Sequence, residues 1–130
     1  MSELRKVRAL VVDDDDSIRA MLAKIVERLD FEVDTARDGI EAIEKLDHED
    51  DYSVVVLDLM MPRADGFAVL RHMEANKDPL LRCTIVASAV PTSEILKRFD
   101  APVFRIHAKP FDISALMNDI RACAGTSQAC

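Results

Sequence analysis

Short apolar runs alternate along the chain with segments whose apolar residues recur three and four positions apart. Six-residue runs rich in apolar and β-branched residues occupy positions 7–12, 31–36, 53–58, 83–88 and 103–108. In the segments that follow them, apolar residues fall on one face of a helix. Five strands that alternate with five helices predict an α/β fold, a doubly wound parallel sheet with right-handed crossovers and helices on both faces.

The composition fits one domain. The chain has 130 residues, of which 49% are hydrophobic, enough for a core that needs no disulfide or metal. We expect the domain to span residues 1–124, and residues 125–130 to form a flexible tail because Gly125 can end the last helix.

The net charge and the cysteines limit the classes of partner and the kinds of site that the chain can have. The net charge of −7 argues against a nucleic-acid surface, which normally carries a basic patch. The three cysteines are odd in number and form no C-x-x-C pair, so a disulfide framework and a structural zinc site are both disfavoured, and a cytoplasmic location is favoured. The first residues resemble neither a signal peptide nor a membrane span. We therefore expect proteins or small charged ligands as partners and no direct contact with nucleic acid or membrane.

Polar residues stand where four of the predicted strands end: Asp13, Asp14, Asp58, Ser88 and Lys109. The carboxyl ends of parallel strands meet at one edge of a sheet, and open sheets bind ligands there. We therefore expect three carboxylates, one hydroxyl and one ammonium in a single shallow cleft.

This set of groups predicts a cation and a phosphoryl group as ligands. Three neighbouring carboxylates raise one another's pKa, and a hard divalent cation such as Mg²⁺ or Mn²⁺ relieves that repulsion. Lys109 and Ser88 then remain as a cation and a hydrogen-bond donor, which a phosphoryl group would satisfy. Asp58, at the end of the central strand, is the natural nucleophile for phosphoryl transfer.

The run VVDDDDS divides into two pairs of aspartates. Asp13 and Asp14 are assigned to the cleft. Asp15 is placed to cap the first amides of the following helix, and Asp16 lies in its first turn, near the positive end of the helix dipole.

From about Lys6 to Cys123 the sequence resembles the receiver domains of bacterial two-component response regulators. The resemblance rests on VVDDDDSIR, on LDLMMPRADGF around Asp58, on the pair Ser88-Ala89 and on KPF at 109–111. It implies a flavodoxin-like, five-stranded sheet in the order 2-1-3-4-5 with five helices.

The resemblance also implies roles for single residues. Asp58 would accept a phosphoryl group from a phosphohistidine on a sensor histidine kinase or a histidine phosphotransfer protein. Asp14, Asp58 and the backbone carbonyl of Met60 would ligate Mg²⁺ directly, and Asp13 through water. Lys109 would pair with the phosphoryl oxygens and Ser88 would hydrogen-bond one of them, and the Lys109-Pro110 peptide would be cis.

The same resemblance places the signal on the face formed by the fourth predicted helix (92–99), the fifth strand and the last helix. This face would bind an unidentified downstream protein, and a homodimer is left open.

The chain departs from the family pattern at three places. An aromatic residue is usual three positions before the lysine, and here that place holds Ile106, with Phe104 expected on the same face of the strand. Pro102 replaces a glycine-containing turn. Met60 and Val90 are apolar at positions that flank the attacking water. We expect a muted or different switch, an unusual signalling face and slow loss of the phosphoryl group.

Two other functions compete with this interpretation, in which the chain is a binding module that modifies itself rather than an enzyme with an external substrate. A receiver-like scaffold would bind partners without phosphorylation, but it would have no use for the charge cluster. A phosphatase of the haloacid dehalogenase type would need an aspartate two residues after the nucleophile, where this chain has Met60.

Overall fold

Five parallel strands form one sheet in the order β2-β1-β3-β4-β5, which confirms the predicted topology. The structure is a computed structural model that describes residues 7–48, 52–61, 65–100 and 102–129. The strands are β1 (Val7–Val12), β2 (Phe31–Ala36), β3 (Tyr52–Leu57), β4 (Thr84–Ser88) and β5 (Arg105–Ala108).

Six helices, rather than the five predicted, lie in the described part of the chain. They are α1 (Asp16–Arg28), α2 (Gly39–His48), α3 (Gly66–Asn76), α4 (Asp78–Leu81), α5 (Thr92–Arg98) and α6 (Ile113–Ala129). The additional helix is α4, which has a proline in its first turn. Proline cannot continue the preceding helix but fits the start of a new one, so the chain breaks after α3 and buries Leu81 with one further turn.

Residues of the central strands pack alternately into two apolar clusters, one on each face of the sheet, because successive side chains of a strand point to opposite sides. Leu10, Val12 and Leu57 join residues of α2, α3, α4 and α5 on one face. Ala9, Val11 and Val56 join residues of α1 and α6 on the other. Burial on both faces accounts for the near-continuous apolar sequence of β1 and β3. Among the described helices, none combines the length and apolar character needed to cross a membrane.

The last helix differs from its prediction. Helix α6 continues through Gly125 to Ala129, so Gly125 does not end it. A glycine inside a helix costs only about 1 kcal/mol relative to alanine, which the rest of a 17-residue helix can offset. That residues 125–130 form a flexible tail stays a prediction, since their side chains lie outside the described part of the structure.

Phe104 and Ile106 lie on opposite faces of the sheet, contrary to the prediction. Ile106 packs against the cluster beneath α3 and α5, whereas Phe104 packs against the cluster beneath α1 and α6. Strand β5 begins only at Arg105, so Phe104 precedes the regular strand and does not follow its period of two. Phe104 therefore cannot stand in for an aromatic side chain at position 106.

Candidate functional site

Backbone hydrogen bonds carry the sheet one residue past the strand ends and so fix the predicted site residues at one edge. The amide of Asp13 donates to the carbonyl of Ala36 at 3.1 Å, and that of Asp58 donates to the carbonyl of Val12 at 3.0 Å. The amide of Lys109 donates to the carbonyl of Ser88 at 2.9 Å. These bonds tie β2, β1 and β3, and separately β4 and β5, at the positions where polar side chains begin.

Three carboxylates converge at this edge, as predicted. Asp13, Asp14 and Asp58 each offer an oxygen, and the three atoms lie within 4.8 Å of one another. Asp13 and Asp58 are buried, at 1% and 4% exposure, whereas Asp14 is exposed. Oxygen ligands of this kind suit a hard divalent cation such as Mg²⁺, and the exposed side of the cluster leaves room for water ligands. The donor set therefore fits the predicted metal.

The Lys109 ammonium lies between the two buried carboxylates. Its Nζ is 2.9 Å from Oδ2 of Asp13 and 3.6 Å from Oδ2 of Asp58. Burial on its own lowers the pKa of Lys109, but the hydrogen bond to Asp13 and the charges of both aspartates outweigh it, so the pKa is raised. Lys109 is therefore a fixed positive charge at the site.

The surroundings of Asp58 raise its pKa as well, which favours the uncharged form of this side chain. Burial raises the pKa of Asp58 most strongly, and the carboxylates of Asp13 and Asp14 raise it further. The Lys109 charge and the hydrogen bond from the amide of Met60, 3.2 Å from Oδ1, lower it but do not cancel the rise. A divalent cation at this cluster would favour the ionised, nucleophilic form of Asp58.

The loop after Asp58 is closed by the start of α3. The amide of Gly66 donates to the carbonyl of Leu59 at 3.1 Å, and a Cβ atom at position 66 would lie 2.4 Å from the carbonyl oxygen of Asp58. Only glycine permits this close approach. Asp65 precedes it and caps α3 through the amide of Ala68. The sequence also places Pro62 in this loop, where proline is predicted to shape the turn, and that position lies outside the described residues.

The VVDDDDS run divides as predicted. Oδ1 of Asp15 accepts hydrogen bonds from the amides of Ser17 and Ile18, at 2.9 and 3.0 Å, and so caps α1. Asp16 lies in the first turn and pairs with Arg19. The guanidinium of Arg19 also donates to the carbonyl oxygen of Asp13 at 2.9 Å. The sequence interpretation missed this contact. A basic residue three positions after the acidic first residue of a helix signals the pair with Asp16 but not the contact with the Asp13 carbonyl.

Ser88 lies at the same edge, fully buried at the end of β4. Its hydroxyl accepts a hydrogen bond from the amide of Val90 at 3.1 Å, within its own loop, rather than contacting the carboxylates. The side chain of Met60 is 60% exposed. The roles of the Ser88 hydroxyl and of the Met60 carbonyl thus stay predictions.

An exposed apolar surface borders the lysine. The Lys109-Pro110 peptide is cis, as predicted, and a hollow beside it is lined by Ile18, Met21, Lys109, Pro110, Phe111 and Ile113. Met21 and Ile113 are 37% and 43% exposed. We call this surface, without the lysine, the cis-proline patch. It joins α1 to the loop before α6 next to the charged cluster.

Comparison with known proteins identifies relatives of this arrangement. The family model described as the response regulator receiver domain matches residues 9–121. The response regulator MprA of Mycobacterium ulcerans is 35% identical over 116 residues, which cover 89% of this chain and 49% of that protein. MprA of Mycobacterium bovis is 34% identical, with 89% and 50% covered. The chain spans about half the length of these curated relatives.

Solved structures agree with this match. The receiver domain of the Francisella response regulator 1452 is 25% identical with a TM-score of 0.83, covering 93% of this chain and 98% of that one. The response regulator protein TrrA of Thermotoga maritima, solved in complex with Mg(2+)-BeF, is 27% identical with a TM-score of 0.79, covering 90% and 98%.

Proposed function

The chain belongs to the family of response regulator receiver domains of two-component signalling, and on that premise we propose that it accepts a phosphoryl group on Asp58 in a Mg²⁺-dependent reaction. The donor would be a phosphohistidine on a sensor histidine kinase or a histidine phosphotransfer protein. One observation carries the proposal: Asp13, Asp14 and Asp58 converge within 4.8 Å with the Lys109 ammonium between the two buried members.

The chemistry follows from the groups at this edge. The Asp58 carboxylate attacks the phosphorus of the donor, a phosphorus–oxygen bond forms, and the phosphorus–nitrogen bond to the histidine breaks. Asp14, Asp58 and the carbonyl of Met60 would hold Mg²⁺, or Mn²⁺, with Asp13 acting through water. When bound, the cation neutralises charge on the phosphoryl oxygens. Lys109, already 3.6 Å from Oδ2 of Asp58, would pair with one of those oxygens.

The cis-proline patch supports a protein as the donor. A histidine that delivers its phosphoryl group in line with Asp58 must sit over the open side of the acidic cluster. The apolar side chains of Met21, Phe111 and Ile113 line a hollow together with Lys109, and they would offer contact area to the protein that carries the histidine. Exposed apolar surface rimmed by charge is typical of interaction sites.

The signalling face would be formed by α5, β5 and α6. Leu96 on α5 is 57% exposed, and an apolar hollow between α5 and β5 is lined in part by Ile95, Phe99 and Ile106. We propose that this face binds a downstream protein or a second copy of the chain. With Ile106 in place of an aromatic side chain, and with Phe104 on the other face, the switch would rely on movement of smaller side chains.

Two alternatives remain distinct from this proposal. A scaffold that works without phosphorylation gives no reason to bury Asp13 and Asp58 side by side, since burying like charges is costly. A haloacid dehalogenase-type phosphatase needs a general acid two residues after the nucleophile, and the thioether of Met60 cannot donate a proton. The chain would therefore modify itself and turn over no external substrate. A cytoplasmic location is part of the proposal and rests on the cysteine pattern.

Intact mass spectrometry after incubation with Mg²⁺ and a small phosphodonor separates the three functions. A receiver gains one phosphoryl group, and Asp58→Asn abolishes the gain. No gain in the wild-type protein would favour the scaffold, and repeated hydrolysis of phosphomonoesters would favour the phosphatase. Asp47→Asn is a matched control, because Asp47 is an exposed carboxylate on α2 that belongs to none of the groups described above.

A further inference from the structure

Arg19 contacts the main chain of the acidic cluster rather than only a neighbouring side chain. Its Nη1 donates to the carbonyl oxygen of Asp13 at 2.9 Å, and its Nη2 lies 2.5 Å from Oδ1 of Asp16. Its side chain is 19% exposed, whereas that of Asp16 is 88% exposed. Exposed ion pairs contribute little, so the partly buried contact with the Asp13 carbonyl is the informative one.

Every polar atom of Asp13 takes part in a hydrogen bond. Its amide donates to Ala36, Oδ1 accepts from the amide of Asp15, and Oδ2 accepts from Lys109. The carbonyl oxygen is the remaining group, and Arg19 occupies it.

The carbonyl of Asp13 belongs to the peptide unit that leads into Asp14. A peptide unit is planar, so a hydrogen bond that fixes the Asp13 oxygen also fixes the plane that contains the amide and Cα of Asp14. Asp14 is exposed, and among the residues that the structure describes its side chain takes part in no hydrogen bond. The orientation of its carboxylate therefore depends on the main chain on either side of it, which Arg19 holds at the Asp13 carbonyl and the Asp15 amide holds through Oδ1 of Asp13.

We propose that Arg19 is a positioning residue for cation binding, which fixes the Asp13-Asp14 peptide so that the Asp14 carboxylate faces Asp13 and Asp58. The inference rests on the proposed function, since it assigns Arg19 a part in the same metal site. Arg19 touches neither the cation nor the phosphoryl group. It acts through the main chain of the acidic turn.

The charge of Arg19 and its hydrogen bond predict opposite effects, which makes the proposal testable. Removal of a positive charge beside three carboxylates would by itself strengthen the binding of a cation. Loss of the hydrogen bond to the Asp13 carbonyl would weaken binding, and removal of a group that orients a metal ligand typically costs about 10-fold to 100-fold in affinity. The direction of the change thus separates positioning from electrostatics.

The experiment is a calorimetric Mg²⁺ titration of the unphosphorylated chain, with thermal unfolding recorded for each variant without the metal. We expect Arg19→Ala to weaken Mg²⁺ binding by about 10-fold. Arg19→Gln, which keeps an amide donor but no charge, should recover part of the affinity. Arg28→Ala removes the same charge from the last turn of α1 and should leave the affinity within about 2-fold of wild type.

The titration separates failure of the positioning role of Arg19 from failure of the proposed metal site. If the wild-type chain binds Mg²⁺ and Asp14→Asn weakens it, while Arg19→Ala binds as well as wild type or better, the positioning role is wrong and the metal site stands. If Asp14→Asn leaves the affinity unchanged, the metal site itself is wrong. Should Arg19→Ala prove unfolded, the comparison rests on Arg19→Gln, for which an affinity below that of wild type supports the positioning role and an affinity equal to or above wild type contradicts it.

Discussion

Gly66 packs directly against the main chain of the proposed phosphoacceptor, and its replacement by alanine is a sharp test of how that residue is positioned. The added Cβ would lie 2.4 Å from the carbonyl oxygen of Asp58 and 2.5 Å from Cα of Leu59, whereas ordinary contacts begin near 3.4 Å. Both atoms belong to the backbone, so no side chain can rotate away. The start of α3 and the Asp58 loop must therefore separate by about 1 Å.

The expected effect on the reaction is larger than the effect on stability. A displacement of about 1 Å at a reacting group can lower a rate by about 100-fold. Overpacking costs about 1 to 3 kcal/mol, and alanine returns about 1 kcal/mol of helix propensity over glycine. We thus expect Gly66→Ala to lose about 0 to 2 kcal/mol of unfolding free energy and to phosphorylate about 100-fold more slowly.

The assay combines the rate of phosphorylation by a small phosphodonor with urea unfolding. Ala68→Gly, two residues along the same first turn of α3, is the matched control. It should cost about 1 kcal/mol of helix propensity without adding an atom near Asp58, and its phosphorylation rate should stay near that of wild type. A wild-type phosphorylation rate in a folded Gly66→Ala variant would show that the close packing of Gly66 does not position Asp58.

Three further predictions concern other parts of the molecule. Asp14→Asn should weaken Mg²⁺ binding by about 10-fold or more, whereas Asp16→Asn should cost at most about 1 kcal/mol of unfolding free energy; equal Mg²⁺ affinities in a calorimetric titration would count against the division of the acidic run. Burial raises the pKa of Asp34. Hydrogen bonds from Tyr52 and Arg8, together with the charges of Arg8 and Lys45, outweigh burial, so the pKa is lowered from 3.8. These interactions therefore stabilise the folded state above pH 3.8, and the stabilisation is lost as the pH falls through the folded pKa. Tyr52→Phe should cost about 1.5 kcal/mol of unfolding free energy at neutral pH and less in acid. An equal cost at both pH values in urea unfolding would contradict this. Met60→Asn should hasten decay of the phosphorylated protein in a mass-spectrometric time course, and unchanged decay would argue against the role given to this apolar position.

Sheet order and the location of the site could be predicted because both depend on repeated, local signals. The bounds of β1 and β2 match the apolar runs at 7–12 and 31–36, and the rule that ligands bind at the carboxyl ends of parallel strands brings Asp13, Asp58 and Lys109 together from three distant segments. The cap at Asp15 was also predictable, since four aspartates cannot all face one cleft and the first helical turn offers free amides.

The features that the sequence does not reveal depend on loop geometry or on elements too short to show a period. Helix α4 has four residues, about one turn, so no apolar repeat reveals it. Phe104 was assigned to the wrong face because the start of β5 cannot be located to one residue from propensity. The approach of Gly66 to Asp58 and that of Arg19 to the Asp13 carbonyl are properties of loop geometry, which a pattern of residue types does not encode.

In the proposed function, one edge of the sheet holds a cation on the aspartates and a phosphoryl group on Asp58. Its most direct test is a crystal structure of the chain grown with Mg²⁺ and beryllium fluoride, the combination present in the Thermotoga maritima TrrA complex. We expect the beryllium fluoride to be bonded to a carboxylate oxygen of Asp58, Mg²⁺ to contact Asp14 and Asp58, and Lys109 to pair with a fluoride. Beryllium fluoride bound at another residue, or Mg²⁺ bound away from these aspartates, would contradict the account.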